Sequence, residues 1–477
     1  MRRPHRTLTA LALALALGAG LRLWFLWHFP QVNGDGLVYG DIAKNWLHGT
    51  YGRTYYGLHN VTVSPTLIRL PGYPLFLAAC FRIFGVDHYG AVLYLQVAID
   101  LMSALVVAWT ARAIAGRRAG VMALFLAAFC PFTANYVAAP LSETLSIFCV
   151  ALGCAMLVWI ERRPRWTGAI VLAATWSYAT LLRPDGALLA IASFIGLTLF
   201  ADRRTHPPQQ AEGELRRDHR RRVLRLAMAG GLLSILPFVA WTGRNLHTLH
   251  VFQPLAPRYA TDPGEFTVPG FQRWTKTWAG DFASTSDVYW NVDTAPLDLN
   301  SLPERAFDSP AQRAETGVLF RDYNQNTTVT PALDARFAAL AGEREHAHPL
   351  RSFLVLPTLR VLDMWLRPRT EMLNIELRWW QYRQHEGETL FALAYAALNL
   401  AYLALAALGG WRLRRAQPVL VCAILLYCVL RSALLATIEA PEARYTVEVF
   451  PMFSILAAAA CVRRPESDHS ERAVTYG

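Results

Sequence analysis

The chain has 477 residues, of which 54% are hydrophobic, 12% aromatic and only 17% charged, and its mean hydropathy is +0.23. Soluble domains carry roughly 25% charged residues and disordered chains are poor in aromatics, so this composition excludes both an ordinary soluble enzyme and a disordered protein. The formal net charge of +11 leaves two generic partners, nucleic acid and an anionic lipid surface, and the position of the arginines decides between them.

A membrane-crossing helix needs about 20 mostly apolar residues to traverse roughly 30 Å of hydrocarbon. Apolar runs fall at 8–27, 90–111, 119–137, 143–160, 167–182, 185–201, 224–242, 389–408, 418–437 and 445–462. They predict an all-α integral membrane protein with about 10 transmembrane helices, within a range of 9 to 12. The first run follows MRRPHR and continues into LRLWFLWHF with no small-residue cleavage pattern, so it reads as an uncleaved span rather than a signal peptide. The seven cysteines mostly lie inside apolar runs and show no disulfide or metal-ligand spacing.

With the N-terminus in the cytoplasm, the segments 1–7, 112–118, 161–165, 202–225, 411–416 and 463–477 hold 23 Lys or Arg, against 6 in the short outer segments 28–89, 138–142, 183–184 and 438–444. That bias is the positive-inside signature. It accounts for the net charge as topology and headgroup contact, with no nucleic acid required. The predicted organisation is a transmembrane module over 1–242 with an outer loop at 28–89, an extracytoplasmic domain of short helices over 243–388, C-terminal helices over 389–462 and a cytoplasmic tail at 463–477. Within the loop domain, Ser352–Leu366 is apolar but too short to span comfortably.

Charged residues of the outer segments carry the chemistry. Asp35 lies between two glycines, before apolar positions Val38, Ile42 and Trp46 that predict a short amphipathic helix on the membrane surface. It suits either an N-cap or a general base at the interface. Asp41 falls inside the same helix and is a secondary candidate. Arg69 stands beside a rigid Pro-Gly-Tyr-Pro turn, where a guanidinium either holds a phosphate or snorkels to headgroups. Glu143 sits in a short apolar turn, Arg183-Pro-Asp-Gly186 forms a second turn, Arg244 follows the seventh run, and Arg444-Tyr445 opens the last. Asp35, Glu143, Arg69, Arg244 and Arg444 thus converge on one side of the bilayer, an arrangement suited to a lipid phosphate and a hydroxyl acceptor. Asp100 and Arg431 lie within spans, as functional groups or as a mutual pair.

The segments GDGLVYGDIAKNWLHG, RLPGYPLFLA, PLSETL, LLRPDG, GRNLHTLHVFQPL, HPLRSFLVLPTLRVLDMWLRP and ARYTVEVFPMFSILA resemble, in this order, the integral-membrane glycosyltransferases of the GT-C fold. The likeness is nearest to the bacterial branch of glycosyltransferase family 39, related to protein mannosyltransferases and lipid A aminoarabinose transferases. The resemblance implies that Asp35 is the catalytic base and Glu143 a second catalytic acid. It implies that Arg69, Tyr73, Arg244, Arg444 and Tyr445 bind the donor phosphate or substrate. The implied donor is a polyprenyl-phosphate sugar and the implied acceptor a hydroxyl on a lipid, glycan or protein, with inversion at the anomeric carbon. The implied place is the extracytoplasmic face of a bacterial inner membrane. No cofactor is firmly implied by the resemblance, and a divalent ion near Asp35 and Glu143 is compatible with it. The competing reading is a transporter or flippase for a lipid-linked saccharide, which predicts paired symmetric halves; no internal repeat is visible. Trp274, Trp278 and Trp290 suit either sugar stacking or the core of the loop domain.

Overall fold

The computed structural model describes residues 3–57, 60–200 and 210–462, with side chains from Thr9 onward and not over 210–216. The 463–477 tail and residues 202–209, both read as cytoplasmic, lie outside the described residues.

The chain opens with α1 (Arg3–His28) and α2 (Gly34–Leu47), followed by β1 (Gly52–Tyr56) and β2 (Val61–Pro65), an antiparallel hairpin pairing Gly52 with Pro65 and Tyr56 with Val61. This hairpin is a local addition to the expected helical fold. Its strands are β-branched and aromatic residues, which suit a pleated surface, and Asp41 of α2 fixes it by accepting from Thr54 N and Oγ1, both at 2.7 Å. Then come α3 (Gly72–Phe84), α4 (Tyr89–Ala115), α5 (Arg117–Ala128), the single turn α6 (Pro131–Ala134), α7 (Glu143–Arg162), α8 (Trp166–Leu182), α9 (Ala187–Phe200) and α10 (Gln210–Leu249). A loop region carries α11 (Pro269–Lys276), the turn α12 (Phe282–Ser284), α13 (Pro310–Asn324), α14 (Pro331–Ala347) and α15 (Leu356–Leu366). The chain closes with α16 (Glu386–Leu413), α17 (Pro418–Leu435) and α18 (Phe450–Cys461).

All ten apolar runs fall on helices. Among the described residues, however, six helices are long and apolar enough to cross a membrane: Thr9–His28 of α1, α4, α7, Arg217–Leu249 of α10, α16 and α17. A seventh counts if Arg117–Ala128 and Pro131–Ala138, bent by 48°, form one span. Proline explains the shortfall, because it lacks the N–H that continues a helix. Pro131 breaks the third run and Pro184 opens a 3₁₀ turn before α9. The last run begins as a 3₁₀ turn, Ala443–Val449, and only then becomes the 12-residue α18.

Helices approach closely where one side chain is missing, as membrane bundles require. A Cβ on Gly409 of α16 would stand 1.8 Å from the Leu456 carbonyl oxygen of α18. One on Gly72 of α3 would stand 2.6 Å from the Leu181 backbone of α8. Buried charges tie further elements. Arg22 of α1 donates to Asp100 of α4 at 2.6 Å, and Arg431 of α17 meets Asp185 and Glu448. Asp100 and Arg431 therefore pair separately rather than with each other.

The loop region has its own core, in which Phe271, Trp274, Trp278, Phe320, Tyr323 and Phe337 pack together. Its helices start where the sequence says they should. Ser309 and Thr330 cap α13 and α14 through Gln312 N and Leu333 N, and Pro310 and Pro331 occupy the first turn.

Candidate active site

Asn33 occupies the N-cap position of helix α2 without a side-chain capping bond, and Gly34 takes a positive φ of 47°. Asp35 is therefore in the first turn and is not the cap. Its carboxylate lies between two guanidiniums: Arg69 Nη2 donates to Oδ1 at 2.6 Å and Arg444 Nη1 to Oδ2 at 3.1 Å. Arg69 is delivered by the stretch between β2 and α3, its carbonyl accepting from Tyr51 Oη at 2.9 Å and its guanidinium lying over Tyr39. Burial would raise the Asp35 pKa, but Arg444 and Arg69 outweigh it and hold the carboxyl down at about 2.

Arg444 also binds Glu442, Nε to Oε2 at 2.5 Å, and Glu442 accepts from Tyr445 Oη at 2.8 Å. Burial pushes the Glu442 carboxyl up, with Arg444 pulling it partly back. The Tyr445 ring lies between Arg444 and Arg183, 5.4 and 5.2 Å from its centroid. Arg183 then reaches Glu143 at 3.1 Å and both Asp185 and Glu448 at 3.3 Å. Glu143 heads α7, is 2% exposed, and keeps Oε2 without a hydrogen bond. One continuous charged network thus links α2, the Arg69 turn, the start of α7, the α8–α9 turn and the 442–448 segment.

Two cavities open on this network. The smaller, about 400 Å³, is lined by Arg69, Arg183, Arg258 and Arg444 with Asp35, Glu143 and Asp185, and by apolar Leu434, Leu435 and Ile438. The larger, about 890 Å³, is lined by Asp35, Glu371, Glu376, Glu388 and Glu442, with Arg444, His385, Tyr136, Phe282 and Trp290. Asp35 and Arg444 belong to both linings. One chamber is basic and partly apolar; the other is acidic and aromatic.

Of the residues expected from sequence, Asp35, Glu143, Arg69, Arg444 and Tyr445 come together here. Arg244 does not. It lies in the last turns of α10, donates to Thr66 O at 2.7 Å and Tyr51 O at 2.6 Å, and stacks on Tyr51 and Trp241. With Asn245 Oδ1 as a further acceptor, it ties together the two ends of the hairpin and so anchors it. Tyr73 is fully buried and donates to Gln96 at 2.7 Å. Asp41 is committed to Thr54. Trp274 and Trp278 are core residues with no exposure, whereas Trp290 is 44% exposed and faces the larger cavity. Sequence reasoning missed Arg258, Glu442 and the central place of Arg183, although the Arg-Pro-Asp-Gly turn was itself the signal for Arg183.

Asp35 and Glu143 are both paired with arginine, so a divalent ion here would have to displace those cations. Both Asp35 oxygens accept from arginines, Glu143 faces Arg183, and no group of three or more metal-ligating side chains occurs among the described residues.

Residues 65–241 match the family model described as dolichyl-phosphate-mannose-protein mannosyltransferase. No curated protein matches the chain. Among solved structures, it is similar to the Archaeoglobus fulgidus oligosaccharyltransferase tethered to an acceptor peptide, with a TM-score of 0.51 and 13% identity over 96% of this chain and 49% of that one. The enzyme AglB of the same organism, in complex with an inhibitory peptide and a dolichol-phosphate, aligns with a TM-score of 0.50 and 11% identity over 95% of this chain and 50% of that one. ArnT from Cupriavidus metallidurans bound to undecaprenyl phosphate aligns at 0.39 and 14% identity over 94% of this chain and 77% of that one. The chain spans about half the length of the archaeal enzymes. This is a membrane protein of the GT-C fold, and its residues 65–241 are similar to the dolichyl-phosphate-mannose-protein mannosyltransferase family model.

Proposed function

We propose that the chain is a glycosyltransferase that moves a sugar from a polyprenyl-phosphate donor to a hydroxyl acceptor on the extracytoplasmic side of the membrane, with Asp35 as general base. The observation that carries this reading is that Asp35 and Arg444 line two chambers of opposite character. The basic chamber suits a lipid phosphate, with Leu434, Leu435 and Ile438 beside the first isoprene units. The acidic, aromatic chamber suits a polyhydroxylated acceptor. The 23 to 6 bias of Lys and Arg between the two sides supports the orientation.

In the free protein Asp35 is too strongly held to be a good base, because a carboxylate near pKa 2 has little proton affinity. A donor phosphate competing for Arg69 and Arg444 relieves this. Its oxygens take the guanidinium N–H donors, and the freed carboxylate gains basicity where the acceptor arrives. Asp35 then takes the hydroxyl proton as the acceptor oxygen bonds to the anomeric carbon. The bond from that carbon to the phosphate oxygen breaks, its electron pair leaves with the lipid phosphate, and Arg69 and Arg444 stabilise the charge. One displacement inverts the anomeric configuration. Glu143 works through Arg183, whose stacking on Tyr445 sets the position of Arg444.

The test is transfer of label from radiolabelled polyprenyl-phosphate sugars in membranes holding matched amounts of wild type and Asp35→Asn. Transfer by wild type and its loss in the variant are expected. Full activity in Asp35→Asn overturns the base assignment. Facilitated translocation of a lipid-linked saccharide without transfer favours the flippase reading.

A further inference from the structure

A third cavity, about 430 Å³, is lined by Arg258, Arg273, Lys276 and Arg360 against Glu345 and Glu439. Glu439 accepts from Arg258 at 2.7 Å and from Lys276 at 2.9 Å, and Arg273 pairs with Glu345. Two carboxylates therefore pair with three cations, and Arg360 feels Glu439 only from beyond ion-pair distance.

Arg360 stands apart from the other buried arginines. Arg22, Arg344, Arg367 and Arg431 each meet a carboxylate. Arg369 spreads its donors over Asn399, Ala443, Met364 and Thr446. Arg360 is 1% exposed, and only its Nη1 is bonded, to the carbonyls of Lys276 and Ala279. Its Nε is without a partner, as is the hydroxyl of Ser352 in the same lining. A buried cation with no directly paired carboxylate is expensive, and four cations against two carboxylates leave the cavity suited to an anion.

The place of the cavity says which kind. Ala436 and Thr437, on its wall, directly follow the end of α17, so the cavity sits at the edge of the bilayer where phosphates lie. Trp365 Nε1 donates to Ser432 Oγ at 3.0 Å and holds α15 against that end. From Leu350 through α15, one face carries apolar side chains with no protein cover: Leu350 is 74% exposed, Phe353 68%, Leu354 62% and Leu359 46%. Phe353 is on both this face and the cavity wall.

We infer that this cavity is a second lipid-phosphate site, in which Arg360, Lys276, Arg273 and Arg258 hold the phosphate of an anionic lipid whose chains run along the exposed face of residues 350–366. Arg258 lines the basic chamber of the candidate active site as well, so the two phosphate sites adjoin. The site stands on its own residues and does not depend on the transfer reaction. A membrane phospholipid and a free polyprenyl phosphate offer the same chemistry.

Native mass spectrometry of the full chain in detergent separates these sources. The protein is titrated with phosphatidylglycerol, undecaprenyl phosphate and phosphatidylcholine, with inorganic phosphate as competitor. Wild type is expected to hold one more equivalent of anionic lipid than an Arg273→Gln/Lys276→Gln variant, whose affinity falls at least tenfold. An Arg69→Gln variant, altered in the basic chamber, keeps that equivalent. Whichever of phosphatidylglycerol and undecaprenyl phosphate binds more tightly is the source. Equal binding by wild type and the double variant, or phosphatidylcholine binding as tightly as phosphatidylglycerol, overturns the inference. So does displacement of the lipid by an equal concentration of inorganic phosphate, since the chains would then contribute nothing. A photo-crosslinker at Phe353 tests the site without altering its charge: an anionic-lipid adduct formed in membranes supports it, and crosslinking to zwitterionic lipid alone overturns it.

Discussion

Arg444 meets Asp35 across 409 positions of sequence, Nη1 to Oδ2 at 3.1 Å, and so joins the last helical segment of the chain to its first short helix. The contact fixes the sign of one pH effect. The Asp35 pKa is about 2 in the fold, below roughly 3.9 for an unfolded chain. Its contribution to stability is thus fully present above about pH 4 and is lost as pH falls towards 2, on the order of 2 kcal/mol. Thermal unfolding in detergent is expected to show wild type more stable than Asp35→Asn at pH 6, with the gap closing as the pH approaches 2.5. Transfer activity at neutral pH is expected to fall by at least ~100-fold in the variant, the usual scale for a lost general base.

Arg183 holds three buried or nearly buried carboxylates, those of Glu143, Asp185 and Glu448. Arg183→Met leaves Glu143 facing no cation and the other two sharing Arg431. A loss of about 3–5 kcal/mol is expected, as for other broken buried pairs. Arg183→Lys keeps the charge but not the fork, and should fall between the two in a melting-temperature series.

Variants of Arg244 and Arg69 test anchoring against the proposed donor binding. Arg244→Gln removes two charge-assisted bonds to carbonyls, each worth roughly 1.5–3 kcal/mol. Its effect should be faster hydrogen exchange over residues 51–67, with the KM for donor little changed. Arg69→Gln should instead raise the donor KM, and a matching KM rise in Arg244→Gln would return Arg244 to the site.

Gly409→Ala is expected to destabilise the protein by at least about 1–3 kcal/mol, the range for overpacked cores. The added Cβ meets a backbone oxygen at 1.8 Å, and backbone cannot rotate away. Gly387→Ala near the start of the same helix, where nothing lies within 4 Å, is the control.

The tryptophans of the loop region divide by exposure. Trp274→Ala should cost roughly 3–5 kcal/mol as a core truncation. Trp290→Ala should leave the melting temperature nearly unchanged and weaken acceptor use, read as a rise in acceptor KM.

Much of this was legible in the sequence because membranes simplify the code. Among the described residues, apolar runs marked every helix long and apolar enough to cross a membrane, and the charged residues between the runs included Asp35, Arg69 and Arg444, which do gather. What escaped depended on contact. Arg244 has the same residue type and approximate depth as Arg69, and only the carbonyls of Tyr51 and Thr66 beside it reveal an anchor. Asp41 and Asp35 are six positions apart on one helix, and the hairpin hydroxyl of Thr54 claims the first while two guanidiniums claim the second. The hairpin itself was hidden inside a loop that lacked a long alternating run. Trp274 and Trp290 differ only in what the fold packs around them.

The wall formed by Asp35 and Arg444 has a kinetic consequence. On the proposed assignment of lipid and acceptor to different chambers, neither blocks the other's door. Spent lipid would then be exchanged for a fresh donor without the acceptor having to leave first. A lipid-phosphate mimic would then compete with the donor and leave acceptor binding untouched.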